Sequence, residues 1–304
     1  MSGVKPYRIK TISQFHEFRG LPQPEHPLVS VIRVEDLEHS TETETLVQDY
    51  YSISLKRNFS GKFKYGQQQY DFDAGVVFFV APGQVFSIEQ KNNEGSKPTG
   101  WILLIHPDFF WNTPLATTIK QYEYFDYSVN EALFLSEKEE NKIVDLLQNI
   151  QEEYHANIDN FSQSIILSQI ETLLNYCSRF YQRQFITRKI TSHQLIDRLE
   201  KLLTDYFNQP DLASKGLPTV HFVAESLNVS PGYLSGLLKV LTGQSTQQHI
   251  HEKLIEKAKE KLSTTNLSVG EIAYELGFEH PQSFNKLFKI KTNLSPLNFR
   301  RSFN

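Results

Sequence analysis

The chain has 304 residues, a formal net charge of −4, 39% apolar residues and 22% charged ones. That is length for two domains and an ordinary balance for a soluble globular protein. Its one cysteine, Cys177, excludes an internal disulfide and fits a reducing compartment. No apolar run approaches a membrane span, and MSGVKPYRIKTISQFHEF at the N-terminus lacks the apolar core of a secretory signal. A cytoplasmic protein with no membrane partner is therefore expected.

Residues 1–25 give no strong signal. From 28 to about 105 the pattern is that of short strands: LVSVIRV (28–34), LVQDYYSISLK (46–56), GKFKYG (61–66), QQYDF (68–72), GVVFFVA (75–81), QVFSIE (84–89) and GWILLIH (100–106). They are rich in β-branched and aromatic residues and separated by Gly, Pro, Asn and Asp. Phe63 and Tyr65 alternate with Lys62 and Lys64, the period of a half-buried strand. This spacing predicts a small sandwich or barrel of jelly-roll type. Tyr51, Tyr65, Tyr70, Phe79 and Trp101 are candidates to line a small-molecule pocket there, although core packing is the plainer reading for each.

From Ser136 to about Phe185 the period becomes helical. Ile143, Leu146, Leu147, Ile150 and Tyr154 define one apolar stripe; Ile166, Ile170, Leu173, Leu174, Cys177 and Tyr181 define a second, close to heptad spacing. Asn157–Asn160 is the loop of this hairpin. The pair either covers one side of the barrel or forms a dimer interface; both hold if one stripe faces the barrel and the other a partner subunit. Cys177, on an apolar helical face, reads as packing rather than as a nucleophile. Residues 185–192 are the expected linker. A helix through Leu195, Leu199, Leu202, Leu203 and Tyr206 opens the last domain, followed by a loop over 209–217.

The C-terminal third carries the strongest signals. Ile272, Ala273 and Leu276 fit one face of a short helix that Gly277 ends, because glycine takes left-handed angles without strain. Phe278 fills the corner, and Pro281 suits the first position of a second helix. Phe284, Leu287 and Phe288 form its apolar stripe; Gln282, Ser283, Asn285, Lys286 and Lys289 lie opposite, beside His280. These are types that bond to base edges and phosphates. Between Pro281 and the terminus are Lys286, Lys289, Lys291, Arg300 and Arg301 and no acidic residue. The pattern recurs: Val223-Ala224, Leu227, Val229, Leu234, Leu237-Leu238-Lys239, Gly243 and Ser245 precede their counterparts by 49 positions before the turn and 50 after it. Such a repeat marks a duplicated supersecondary unit. In the first copy Ser230 is the expected N-cap, Pro231 follows it, and Tyr233, Ser235, Gly236 and Lys239 are expected to face outward. Gly232 and Gly236 allow close approach. Between the copies Ile250, Leu254, Ala258 and Leu262 predict one helix over 246–263, about 27 Å long at roughly 1.5 Å per residue. That length could hold two recognition helices about one DNA turn, roughly 34 Å, apart. Ser295 and Pro296 start a last helix, with Arg300 and Arg301 placed for phosphates.

Residues 218–303 resemble the DNA-binding domain of AraC/XylS-type transcription regulators. The resemblance rests on LNVSPGYL (227–234), Lys239 with Gly243, Ala258-Lys259 before Leu262, Glu271-Ile272-Ala273, Leu276-Gly277-Phe278, Phe284 with Phe288-Lys289, and Ser295-Pro296. Lys253 stands where the family often has arginine. Asn293 replaces a usual glycine, and asparagine tolerates the left-handed position next best. Ala81-Pro82-Gly83-Gln84 and Gly100-Trp101 with His106-Pro107 look like the cupin-type N-terminal domain of many such regulators. The implied fold class is α+β: a cupin-like jelly-roll β-barrel over 1–134, a dimerising helical hairpin over 135–184, the linker, and an all-α domain with two helix-turn-helix motifs over 193–304. The implied function is regulation of transcription, most often activation, on double-stranded DNA. The implied partners are RNA polymerase, a second copy of the chain and a small-molecule effector whose identity the sequence does not give.

Metal-binding cupins place histidines two apart on one strand, yet residues 40–105 contain no histidine. His249 and His251 are two apart on a helix, hence on different faces. No metal and no cofactor are expected. Neither a Gly-rich phosphate loop, a nucleophile elbow nor HExxH is present, so an enzyme is not expected. Residues 190–304 hold 13 Lys/Arg against 11 Asp/Glu, a small basic excess. It leaves open a helical domain that grips a protein, beside the further alternative of a cupin-type enzyme with a helical appendage.

Overall fold

The computed structural model describes residues 6–38, 44–57, 75–88, 99–127, 131–156, 159, 161–187, 189–209 and 211–302. The chain divides into two compact units, Met1–Gln184 and Phe185–Asn304. Among the described residues no helix is long and apolar enough to cross a membrane.

In the N-terminal unit β1 (Tyr7–Ile9) and α1 (Ile12–Phe18) precede β2 (Val29–Arg33), β3 (Glu44–Gln48), β4 (Tyr51–Arg57), β5 (Gly75–Val80), β6 (Val85–Ile88) and β7 (Thr99–Ile105). A one-turn α2 (Leu115–Thr118) and β8 (Leu133–Leu135) follow. The described strands form a three-stranded sheet, β1-β3-β6, and a five-stranded sheet, β2-β7-β4-β5-β8. They do not close into the expected barrel. The α+β division stands, with sheets in the first unit and only helices in the described part of the second.

The run 46–56, expected as one strand, is two. Its corner is fixed at Asp49, whose N–H donates to the Ile9 carbonyl at 3.0 Å and whose carboxylate holds Arg8 at 2.7 Å. The chain there passes from the three-stranded to the five-stranded sheet. The expected strands 61–66 and 68–72, with Tyr65 and Tyr70, lie outside the described residues. Trp101–Ile105 of β7 are buried at every position, as a continuous apolar run requires of a strand covered on both faces. Ile102 and Leu104 join Ile9, Ile12, Phe15, Ile32, Leu46 and Tyr50 in one core cluster.

The hairpin is α3 (Glu137–His155) and α4 (Ser162–Thr187). Ser136 opens α3 with a capping box, receiving the Glu139 carboxylate on its own N–H at 2.9 Å. Both apolar stripes are buried within the unit itself; Ile143, Leu147, Ile150, Ile170, Leu173, Leu174 and Cys177 are fully covered. No residue of either stripe is left exposed to meet a second subunit, as the reading in which the pair covers the sheet requires. The helices spend their apolar faces on their own sheet and connecting segments, as where the Tyr124 hydroxyl donates to the Leu174 carbonyl at 2.9 Å. Burial pushes the Cys177 thiol well up.

The C-terminal unit holds α5 (Lys189–Phe207), α6 (Leu212–Lys215), α7 (Val220–Ser226), α8 (Pro231–Thr242), α9 (Thr246–Thr264), α10 (Val269–Glu275), α11 (Pro281–Thr292) and α12 (Pro296–Arg301). The expected linker 185–192 is helical where described: α4 runs to Thr187 and α5 starts at Lys189. One turn of helix, α6, interrupts the loop expected over 209–217.

Candidate nucleic-acid interface

Two helix pairs, α7–α8 and α10–α11, repeat the same local construction. Leu227 and Leu276 end the first helix of each pair, and the next residue is left-handed in both: Asn228 at φ 58° and Gly277 at φ 85°. Proline starts each second helix at Pro231 and Pro281, and both helices span 12 residues. Each stops at a left-handed residue, Gly243 (φ 75°) or Asn293 (φ 60°). Asparagine thus serves where glycine is usual. A serine then opens the following helix: Ser245 accepts the Gln248 N–H and Ser295 the Asn298 N–H. The added residue of the second turn is visible as five residues between α10 and α11 against four between α7 and α8.

The buried positions follow the repeat. Leu234, Leu237 and Leu238 line the inner face of α8, and Phe284 and Phe288 that of α11, with Phe278 in the corner. Ile250, Leu254, Ala258 and Leu262 of α9 are all covered. That helix has 19 residues, about 28 Å at ~1.5 Å per residue.

On α11 the expected polar face is exposed: Gln282, Ser283, Asn285, Lys286 and Lys289, with His280 just before it. Asn285, Lys286 and Lys289 border an open hollow of about 530 Å³ with Val269, Ser295, Pro296 and Leu297. Val269 and Leu297 are apolar neighbours with no polar signature to mark them in sequence. Arg301 is exposed.

The face of α8 differs from expectation. Tyr233 is buried, 6% exposed, with its ring 5.2 Å from that of Phe185. It does not face outward. Ser230 is also buried and spends its hydroxyl capping the Tyr233 N–H at 3.2 Å. The Ser235 hydroxyl lies 3.1 Å from that of Thr246. Gly232 and Gly236 are half-buried, and Lys239 is exposed. Arg300, expected at phosphates, turns inward: its Nε donates to the Leu262 carbonyl at 3.2 Å, tying α12 to the end of α9.

The pocket candidates of the N-terminal unit are packing residues where described. Tyr51 and Phe79 both touch the Phe125 ring, at 5.0 and 5.5 Å. Trp101 is buried beneath the Arg33 guanidinium, 3.8 Å from its ring centre. Among the described residues no three His, Cys, Asp or Glu side chains gather as metal ligands would. His249 bonds Thr242 and His251 bonds Gln247, so the two point apart.

A two-pair helix-turn-helix module of this kind is a class seen in sequence comparison too: residues 223–302 match the family described as helix-turn-helix domain. An uncharacterized HTH-type transcriptional regulator, YfiF, of Bacillus subtilis is 34% identical over 143 residues, covering 47% of this chain and 42% of that protein. The raffinose operon transcriptional regulatory protein RafR of Pediococcus pentosaceus is 36% identical over 84 residues, covering 28% of this chain and 30% of its own length. The chain therefore spans less than half the length of these curated relatives. Among solved structures, the C-terminal domain of AraT, a response regulator from Geobacillus stearothermophilus, is 34% identical, covers 36% of this chain and 84% of that one, and gives a TM-score of 0.31. The C-terminal unit carries a helix-turn-helix domain of the AraC type.

Proposed function

We propose that the chain is a sequence-specific transcription regulator that binds double-stranded DNA, with α8 and α11 entering successive major-groove segments. One observation carries this reading: α11 of an AraC-type domain presents Gln282, Ser283, Asn285, Lys286 and Lys289 together on an exposed face. These side chains suit base edges and phosphates. The length of α9, about 28 Å by its rise of ~1.5 Å per residue, supports two insertions about one turn apart.

In the same reading residues 1–134 form the effector part, 135–184 the dimerising hairpin, 185–192 the connector and 193–304 the DNA-binding part. A small molecule held by the N-terminal unit biases the DNA-competent state. The protein works in the cytoplasm as a homodimer that activates transcription by recruiting RNA polymerase. With both stripes of α3 and α4 already buried, the dimer contact falls on other surfaces of the hairpin.

The test is binding of the purified chain to the DNA beside its own gene and to random duplex across a salt series. The expected result is a preference for the former with log affinity falling steeply against log salt, and a slope reduced by about 0.9 for each of Lys286→Ala and Lys289→Ala. Equal, salt-insensitive binding to both would overturn the reading. Sedimentation of the free chain checks the dimer, and in vitro transcription checks activation against repression.

A further inference from the structure

We propose that the two helix-turn-helix units read DNA unequally: base specificity lies in the segment under α11, and the segment under α8 is held whatever its sequence. This rests on the DNA-binding reading above and adds to it a division of labour.

The repeat allows a position-by-position comparison, since outward positions on α8 and α11 correspond at an offset of 50 residues. Gly232 stands where α11 has Gln282, and Gly236 where it has Lys286. Tyr233 matches Ser283, but the tyrosine is buried against Phe185 while the serine is exposed. Ser235 matches Asn285, but its hydroxyl is engaged with Thr246 at 3.1 Å while the asparagine is exposed. Of the five pairs only Lys239 and Lys289 present the same exposed side chain.

The chemistry of readout turns these differences into a prediction. Gln and Asn engage adenine through two bonds, whereas a glycine offers no side chain to any base edge. Lysine alone on a helix is suited to phosphate, which carries no sequence information. Two glycines four residues apart lie on one helical face and leave it smooth, so the α8 backbone can approach the groove closely. That arrangement favours affinity and register without discrimination.

Selection of the full chain against a pool of randomised duplexes tests this. The expected outcome is one block of fixed base pairs, each wrong pair within it lowering affinity about 5- to 150-fold. One helical turn away, any base pair is accepted with changes below ~2-fold, because contacts there are to the backbone. Trimming that second turn of duplex should nevertheless weaken binding and flatten its salt dependence. The double substitution Gln282→Ala, Asn285→Ala should erase the fixed block; alanine at exposed helical sites keeps the fold, which circular dichroism verifies. Two blocks of comparable information, or a base preference untouched by the double substitution, would overturn the proposal while leaving the DNA-binding reading intact. Enrichment of no sequence at all would remove both.

Discussion

Gly277 and Gly216 meet backbone to backbone. A methyl group on Gly277 would lie 3.0 Å from the α-carbon of Gly216 and 3.2 Å from the Leu212 carbonyl oxygen. Gly277 is also left-handed, at φ 85°. Gly243 shares the left-handed conformation, but a methyl group there would meet nothing within 4 Å. Gly243→Ala should therefore cost only the conformational term, about 1–2 kcal/mol. Gly277→Ala should cost more, because the atoms it meets are backbone that cannot turn aside. Thermal unfolding followed at the helical dichroism band ranks the two; equal losses would mean that the contact with Gly216 yields freely.

The Tyr154 hydroxyl serves both polar groups of one residue, accepting the Val31 N–H at 3.0 Å and donating to the Val31 carbonyl at 3.1 Å. Val31 sits in β2, at the edge of the five-stranded sheet. An open edge invites foreign strands, and here α3 occupies its hydrogen-bonding groups at Val31 with one side chain. Tyr154→Phe leaves a buried donor and acceptor unmet, which should cost about 1–3 kcal/mol. Both tryptophans of the chain, Trp101 and Trp111, lie in the N-terminal unit, so fluorescence during urea unfolding reads that unit directly. An unchanged midpoint would show the edge to be satisfied some other way.

What could be read in advance followed the range of the determining interactions. The helix pairs were legible because their caps, left-handed stops and apolar spacing act within a few residues: Ser230, Gly277, Pro281 and Ser295 each fix structure beside themselves. The burial of Tyr233 is not legible locally, because its ring packs on Phe185, 48 positions earlier, and nothing near it in sequence distinguishes it from exposed Ser283. The inward turn of Arg300 likewise depends on a distant partner, the Leu262 carbonyl. In the N-terminal unit β1 and β8 have three residues each, too short for alternation to register. The break at Asp49 depends on Arg8 and Ile9, supplied by a strand that itself gave no signal. The hairpin stripes are legible as apolar, but which surface they meet is a tertiary matter.

Arg300 and Arg301 are neighbours with opposite surroundings. Arg300 donates to the Leu262 carbonyl and is half-buried, whereas Arg301 is exposed. Arg300→Ala should lower the unfolding midpoint of the helical unit, with a loss of about 1.5–3 kcal/mol expected for a bond from a charged donor. Arg301→Ala should leave the midpoint alone and weaken DNA binding uniformly across sequences, as loss of a phosphate contact does. Paired measurement of melting and DNA affinity separates them. If Arg300→Ala left stability unchanged and reduced affinity, the inward geometry would not be what holds α12.

His16 gives the N-terminal unit a dependence on pH. Its ring is buried, with Nδ1 at the Pro22 carbonyl and Nε2 2.9 Å from the Ser30 hydroxyl. Burial lowers its pKa from the ordinary value, opposed in part by the Pro22 hydrogen bond. The unfolded chain, at about 6.5, takes up the proton first, so the neutral ring's contribution is complete above about pH 6.5 and shrinks as pH falls toward the folded value. Burial lowers His26 in the same direction. The urea midpoint by tryptophan fluorescence should therefore be lower at about pH 5.5 than at about pH 7.5. His16→Gln should narrow that difference and leave the His26 share behind. A variant that kept the whole difference would assign the pH dependence to other groups.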